Sequence, residues 1–180
     1  ERAAQDAIDA ALAGMGGPTE PGLARALTAA LPAQARLVVS SSMPVRDVEW
    51  FGAPGDLPPV LSNRGANGID GVVSTALGAA ASGVPVVALL GDLAFLHDSG
   101  ALLWATRRGL DCTLVVVDND GGAIFSFLPQ AGALDPTTFE TLFGKPHGVD
   151  LAALAAVHGI PVERVSSAHG AASAVQAGLA

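Results

Sequence analysis

Val86-Val87-Ala88-Leu89-Leu90-Gly91-Asp92 and, one helix later, Thr113-Leu114-Val115-Val116-Val117-Asp118-Asn119-Asp120-Gly121-Gly122 decide how this chain folds. Each begins as an unbroken run of aliphatic and β-branched residues and closes on acids, amides and glycines. A run that does not alternate apolar with polar is buried on both faces, as strands are in a parallel sheet covered by helices on each side. Parallel neighbours need a crossover. The residues between supply one: a helix capped by Asp98 or Ser99 and ended by Arg107, Arg108 and Gly109, with its cations at the negative end of the helix dipole.

The same alternation of strand and helix extends outward. Leu37-Val38-Val39 and Val60-Leu61 read as short strands, and residues 162–165 as a last one. Helices are predicted over residues 3–13, from a Thr19 cap with Pro21 in the first turn to about Leu31, and over 71–81, 137–143, 150–158 and 168–179. Residues 50–59, rich in Gly and Pro, read as loop, as does the stretch from Gly122 to about Pro136. The fold class expected is α/β, a parallel sheet with helices on both faces, in one domain over residues 1–180 with residues 1–35 as a helical lead-in.

Composition bounds the rest. A length of 180 residues suits one domain with a real core. Half of them are hydrophobic and only 14% charged, which supplies too much apolar surface for a disordered chain. A net charge of -8 with a single lysine, Lys145, makes the chain a poor candidate for a nucleic-acid binder. Residues 72–90 carry no charge, but Gly78, Gly83 and Pro85 break them into helix, turn and strand rather than a membrane span. The opening Glu1-Arg2-Ala3-Ala4-Gln5 lacks the apolar core of a signal peptide. One cysteine, Cys112, cannot form an internal disulfide, so a cytoplasmic location is expected.

In a sheet of this kind, ligands bind outside the carboxyl ends of the strands. Those ends carry Ser40-Ser41-Ser42 with Arg46, then Asn63-Arg64-Gly65-Ala66-Asn67-Gly68, then Gly91-Asp92, then Asp118-Asn119-Asp120-Gly121-Gly122. Exposed glycine backbone binds anions, and an acid beside an amide carbonyl binds a hard cation. Together they describe a pocket for a metal-bound phosphate or diphosphate. Asp92 and Asn119 stand at the ends of consecutive strands, close enough to share one ion. Mg²⁺ wants six oxygens, and the Asp92 carboxylate, the Asn119 carbonyl and a backbone carbonyl near Gly121 could give three of them. The bland alternative makes Asp92 a helix cap and Asn119-Asp120-Gly121-Gly122 a simple turn. No Walker motif and no Gly-x-Gly-x-x-Gly follows a strand.

Gly91-Asp92 followed by Asp118-Asn119 resembles the signature of the thiamine-diphosphate enzymes, Gly-Asp then about two dozen residues then Asn-Asn. Leu93 and Asp118 depart from it, and Asn119 keeps the ligand position. The resemblance implies that Asp92, Asn119 and the Gly121 carbonyl hold Mg²⁺ or Mn²⁺. It implies that backbone groups of Gly91, Gly121 and Gly122 hold the diphosphate. Ile69 would sit under the cofactor, with Ile124, Phe125 and Leu128 walling its thiazolium side.

Within that family, Ser41-Ser42-Met43-Pro44-Val45-Arg46, residues 62–71 and residues 119–126 are similar to the transferases of menaquinone biosynthesis. Those enzymes decarboxylate 2-oxoglutarate and add the succinyl-semialdehyde unit to isochorismate. The likeness implies that Ser42, Arg46 and Arg64 meet the substrate carboxylates. It places the activating glutamate in a pyrimidine-binding domain of the same or a partner subunit in a homo-oligomer. No catalytic residue is therefore expected in these residues, which are read as a C-terminal fragment inactive alone. Three alternatives stand beside this reading: another family member of decarboxylase or acetolactate-synthase type, a non-catalytic interaction module with the same fold, and a flavodoxin-like domain, for which no flavin phosphate loop is visible.

Overall fold

A computed structural model describes residues 2–15, 17–66 and 68–179; Asn67 of the glycine loop lies outside them. Four parallel strands, β1 (Arg36–Val39), β2 (Val60–Leu61), β3 (Val86–Gly91) and β4 (Cys112–Val117), lie side by side in the order β2-β1-β3-β4. Leu37 pairs with Val60 and Val87, and Val87 in turn with Thr113. The α-helices are α1 (Arg2–Gly14), α2 (Glu20–Ala30), α3 (Met43–Phe51), α4 (Val72–Ala80), α5 (Asp92–His97), α6 (Leu102–Arg108), α7 (Gln130–Ala133), α8 (Pro136–Phe139), α9 (Leu151–Val157) and α10 (Ala168–Gly178).

Successive strand side chains point to opposite faces, and this divides the core in two. Val38, Val86, Ala88 and Leu90 pack with α4, Phe95 of α5, Leu102 of α6 and Leu151 of α9. Leu37, Val39, Val87 and Leu89 pack with Leu27 of α2, Val175 of α10 and Val45 and Val48 of α3. The result is the expected α/β layering, a parallel sheet with helices on both faces. α1 buries nothing and is held by Arg25, which binds Asp9 at 2.9 Å and the Gln5 side chain.

The chain runs outward from β1 to β2, then returns to place β3 on the other side of β1. Strand order therefore reverses between β1 and β3, the kind of switch point at whose carboxyl ends parallel sheets bind ligands. Ser40-Ser41-Ser42 leave β1 there and Asp92 leaves β3 there.

Several local expectations are corrected. Trp50 and Phe51 belong to α3 rather than to a loop; Pro44 sits in its first turn, where a missing N–H and a fixed φ favour a helix. The helix placed after Asp98 is preceded by α5 and a 3₁₀ turn, Ser99–Ala101. Asp98 instead accepts from the Ser74 N–H (2.5 Å) and Oγ (2.9 Å), capping α4, whose own cap Gly71 has no side chain to offer. The loop after Gly122 contains a 3₁₀ turn, Ala123–Phe127, and α7.

Residues 162–165 form no strand. Ser167 caps α10, and Arg164 binds Asp150, the cap of α9, so this segment is fixed to helices. A cavity of about 1270 Å³ lies there, lined by Leu114 and Val116 of β4 and by Pro161, Val162 and Val165. Among the described residues, no helix is long and apolar enough to cross a membrane.

Candidate functional site

β3 delivers Asp92 to the sheet edge, where the residue is only 2% exposed. Its Oδ2 accepts the N–H of Gly121 at 2.8 Å and of Asn119 at 3.2 Å, and Oδ1 accepts the Leu93 N–H at 2.6 Å. The Nε2 of His147 lies 3.3 Å from Oδ2. No lysine or arginine pairs with Asp92 among the described residues. A carboxylate out of water with no cationic side chain beside it is a place where a bound cation would be stabilised. Ligating atoms of Asp92, Asp118 and His147 lie within 4.8 Å of one another.

The loop after β4 is shaped by glycine. Gly121 has φ +145°, and a Cβ there would overlap the Gly144 carbonyl. The buried Gly122 donates its N–H to that same carbonyl at 2.6 Å, and a Cβ on it would stand 2.6 Å from the Phe143 carbonyl. A Cβ on Gly91 would meet nothing within 4 Å, so the backbone at the end of β3 faces open space. Buried and half-exposed carboxylates, an amide and bare backbone suit a hard divalent cation and the anion it carries.

Asp92, Asn119 and Gly121 are thus brought together, but through the Asn119 backbone. Its side-chain amide nitrogen donates to Glu20 of α2 at 2.7 Å. Ile124 is half-buried, while Phe125 and Leu128 are 38% and 39% exposed, with the Phe125 ring 5.8 Å from Phe143. Ile69 packs against the core beside α4.

The β1/β2 end of the edge is different. Ser42 has φ +79°, and its carbonyl accepts from Arg46 Nη1 at 2.6 Å. Arg46 and Arg64 are exposed, and neither pairs with a carboxylate among the described residues, Asp47 and Glu49 included. Asn63 serves the loop itself, accepting from Thr75 Oγ1 at 2.9 Å and donating to the Asp70 carbonyl. Asp47 is as buried as Asp92, yet its Oδ1 lacks a hydrogen-bond partner, as does Ser40 Oγ. Burial, with Glu20 nearby, pushes the Asp47 carboxyl up from 3.8 to about 6.

His147 and Glu20 touch this site and had no signal in the sequence. His147 stands 55 residues beyond Asp92 in a segment with no regular element, and only Pro146 and Gly148 on either side mark a turn.

Residues 58–180 match the family described as thiamine pyrophosphate enzyme, C-terminal TPP binding domain. Over 163 residues the chain is 56% identical to the 2-succinyl-5-enolpyruvyl-6-hydroxy-3-cyclohexene-1-carboxylate synthase of Myxococcus xanthus, an alignment covering 89% of this chain and 28% of that protein. With the synthase of the same name from Chloroflexus aurantiacus it shares 58% over 142 residues, 78% of this chain and 24% of that one. The fold is also that of the thiamine diphosphate-dependent 4-hydroxybenzoylformate decarboxylase of Rhodococcus jostii, with a TM-score of 0.73 at 21% identity over 92% of this chain and 31% of that one. The chain therefore spans about a quarter of the length of the curated relatives it matches.

Proposed function

The chain belongs to the C-terminal TPP-binding domains of thiamine pyrophosphate enzymes, and from that premise we propose that it forms the metal and diphosphate half of the active site of a 2-succinyl-5-enolpyruvyl-6-hydroxy-3-cyclohexene-1-carboxylate synthase. The observation that carries this reading is the buried Asp92 carboxylate, paired with no lysine or arginine among the described residues, beside the glycine-walled loop after β4.

Asp92, the Asn119 amide carbonyl and the Gly121 carbonyl hold Mg²⁺ or Mn²⁺. For Asn119 this requires its side chain to present oxygen while Glu20 keeps the nitrogen, which the amide can do. Backbone groups of Gly91, Gly121 and Gly122 receive the diphosphate. Ile69, Ile124, Phe125 and Leu128 contact the cofactor's rings; the exposure of Phe125 and Leu128 suits residues that a ligand covers. Bound thiamine diphosphate supplies the electron sink that loss of CO₂ from 2-oxoglutarate requires. Ser42, Arg46 and Arg64 orient the carboxylates of 2-oxoglutarate and isochorismate. An arginine with no carboxylate partner of its own is free to donate a two-pronged charged hydrogen bond to a substrate carboxylate. A pyrimidine-binding domain, of the same or a partner subunit in a cytoplasmic homo-oligomer, completes the site and supplies the activating glutamate.

Calorimetric titration with thiamine diphosphate, with and without Mg²⁺, tests this. Binding should depend on Mg²⁺ and weaken at least about 100-fold in Asp92→Ala, roughly 3 kcal/mol. Binding that ignores both Mg²⁺ and the substitution would remove Asp92 from the site. In the complete enzyme, turnover of pyruvate in preference to 2-oxoglutarate would refute the substrate assignment.

A further inference from the structure

We propose that His147 is a positioning residue that engages one oxygen of Asp92 and leaves the other for the cation, and that it is not itself a cation ligand. This rests on reading Asp92 as the metal-binding carboxylate. The proximity of Asp92, Asp118 and His147 on its own would suggest a three-ligand site with an imidazole nitrogen. Hydrogen bonding around the ring argues otherwise.

The side chain of His147 is 11% exposed. Its Nδ1 accepts the Val149 N–H at 3.0 Å. A neutral imidazole has one accepting nitrogen and one N–H. Asp120 Oδ1 also faces Nδ1 but at 3.6 Å, outside hydrogen-bond reach and already accepting two backbone N–H groups, so the Val149 bond assigns the proton to Nε2. That nitrogen faces Asp92 Oδ2 at 3.3 Å and therefore donates to it. With Nδ1 taken by Val149 and Nε2 protonated, the ring has no lone pair to give a metal. Ligation would require the Val149 bond to break first.

Oδ2 of Asp92 then receives three N–H groups, from Gly121, Asn119 and His147. A carboxylate oxygen has about two lone-pair sites, so Oδ2 is fully occupied. Oδ1 takes only the Leu93 N–H and keeps capacity for a cation. His147 is itself held by the loop it helps to organise. Oδ1 of Asp120, a residue with φ +60°, accepts the N–H of both His147 (3.0 Å) and Gly148 (2.7 Å). The Gly122 to Gly144 bond ties the same two segments together. Donors that orient a ligating carboxylate from behind commonly set metal affinity by 10- to 100-fold.

The test uses the full chain and Mn²⁺ alone, followed by electron paramagnetic resonance, with ring ¹⁵N–¹H correlation spectra of His147. The Nε2–H tautomer is expected with and without Mn²⁺, with no nitrogen coupling from His147 to bound Mn²⁺. His147→Ala should weaken Mn²⁺ binding about 10-fold. His147→Gln, whose amide N–H can still reach Asp92, should recover most of that. An Nδ1–H tautomer, direct nitrogen coupling to Mn²⁺, or wild-type affinity in His147→Ala overturns the proposal. A chain that binds no Mn²⁺ counts against Asp92 as a ligand, whereas the tautomer is read without any metal and judges His147 separately.

Discussion

Asp47 and Asp92 stand at the same sheet edge, follow neighbouring strands and are equally buried, at 2% exposure each. Around Asp92, the backbone N–H groups of Leu93, Asn119 and Gly121 and the His147 ring converge. Around Asp47, Oδ1 finds no partner, Glu20 lies near, and the carboxyl is pushed up to about 6. Depth alone therefore does not assign a role to an acid. The β3/β4 end of the edge is built in advance to hold charge. The β1/β2 end leaves one buried Asp47 oxygen without a partner and two exposed arginines that pair with no carboxylate among the described residues. Under the proposed function, the first end would be the fixed cofactor half and the second a substrate half completed by its ligand.

The largest expected effect breaks the prebuilt end. In Gly121→Ala a Cβ would overlap the Gly144 carbonyl at a φ of +145° that side chains rarely adopt. Loss of roughly 3 kcal/mol is expected in urea unfolding. Gly91→Ala is the matched control: its Cβ meets nothing within 4 Å, so stability should shift by less than about 0.5 kcal/mol while diphosphate binding suffers. Equal stability of the two variants would mean that the loop after β4 is not clasped to residues 143–148.

Asp47→Asn sharpens the other half of the contrast. The folded carboxyl, at about 6, holds its proton more tightly than the ordinary value of 3.8. The native state therefore binds more protons than the unfolded chain between those values. The Asp47 contribution to wild-type stability should be complete below about pH 4 and be lost as pH rises through 6. Asparagine has no charge to bury, so the variant should exceed wild type by roughly 2 kcal/mol at pH 7.5 and lose that advantage near pH 4. Denaturant midpoints across this range measure it; a pH-independent difference would show that Asp47 is not held protonated.

The parts of this architecture that were legible in the sequence are those written locally. The apolar runs of β3 and β4 each end on their own site residues, so strand, edge and candidate ligands could be read in one pass. α3 was hidden because Pro44 looks like a loop residue unless its place in a first turn is known. Residues 162–165 have the β-branched content of a strand, but Arg164 and Ser167 commit their surroundings to helix caps. His147 could not be read at all. Its partners Asp92 and Asp120 lie 55 and 27 residues away, and only the folded turn that Asp120 holds brings the ring to the site.

The smallest expected effect concerns the arginines, and it is informative because it is small. Arg25 binds Asp9, Gln5 and the Gly52 carbonyl, tying α1 and the end of α3 to α2. Arg25→Ala should therefore lower stability by about 1 kcal/mol. Arg46 gives one bond to the Ser42 carbonyl, and Arg64 pairs with no carboxylate among the described residues. Arg46→Ala and Arg64→Ala should leave the melting transition within about 0.5 kcal/mol of wild type. In the complete enzyme the same two changes should raise KM for 2-oxoglutarate or isochorismate about 10-fold, the loss of one charged bidentate contact. If instead either arginine is needed for folding and its removal leaves KM unchanged, it belongs with Arg25. The β1/β2 end would then have no claim to the substrate.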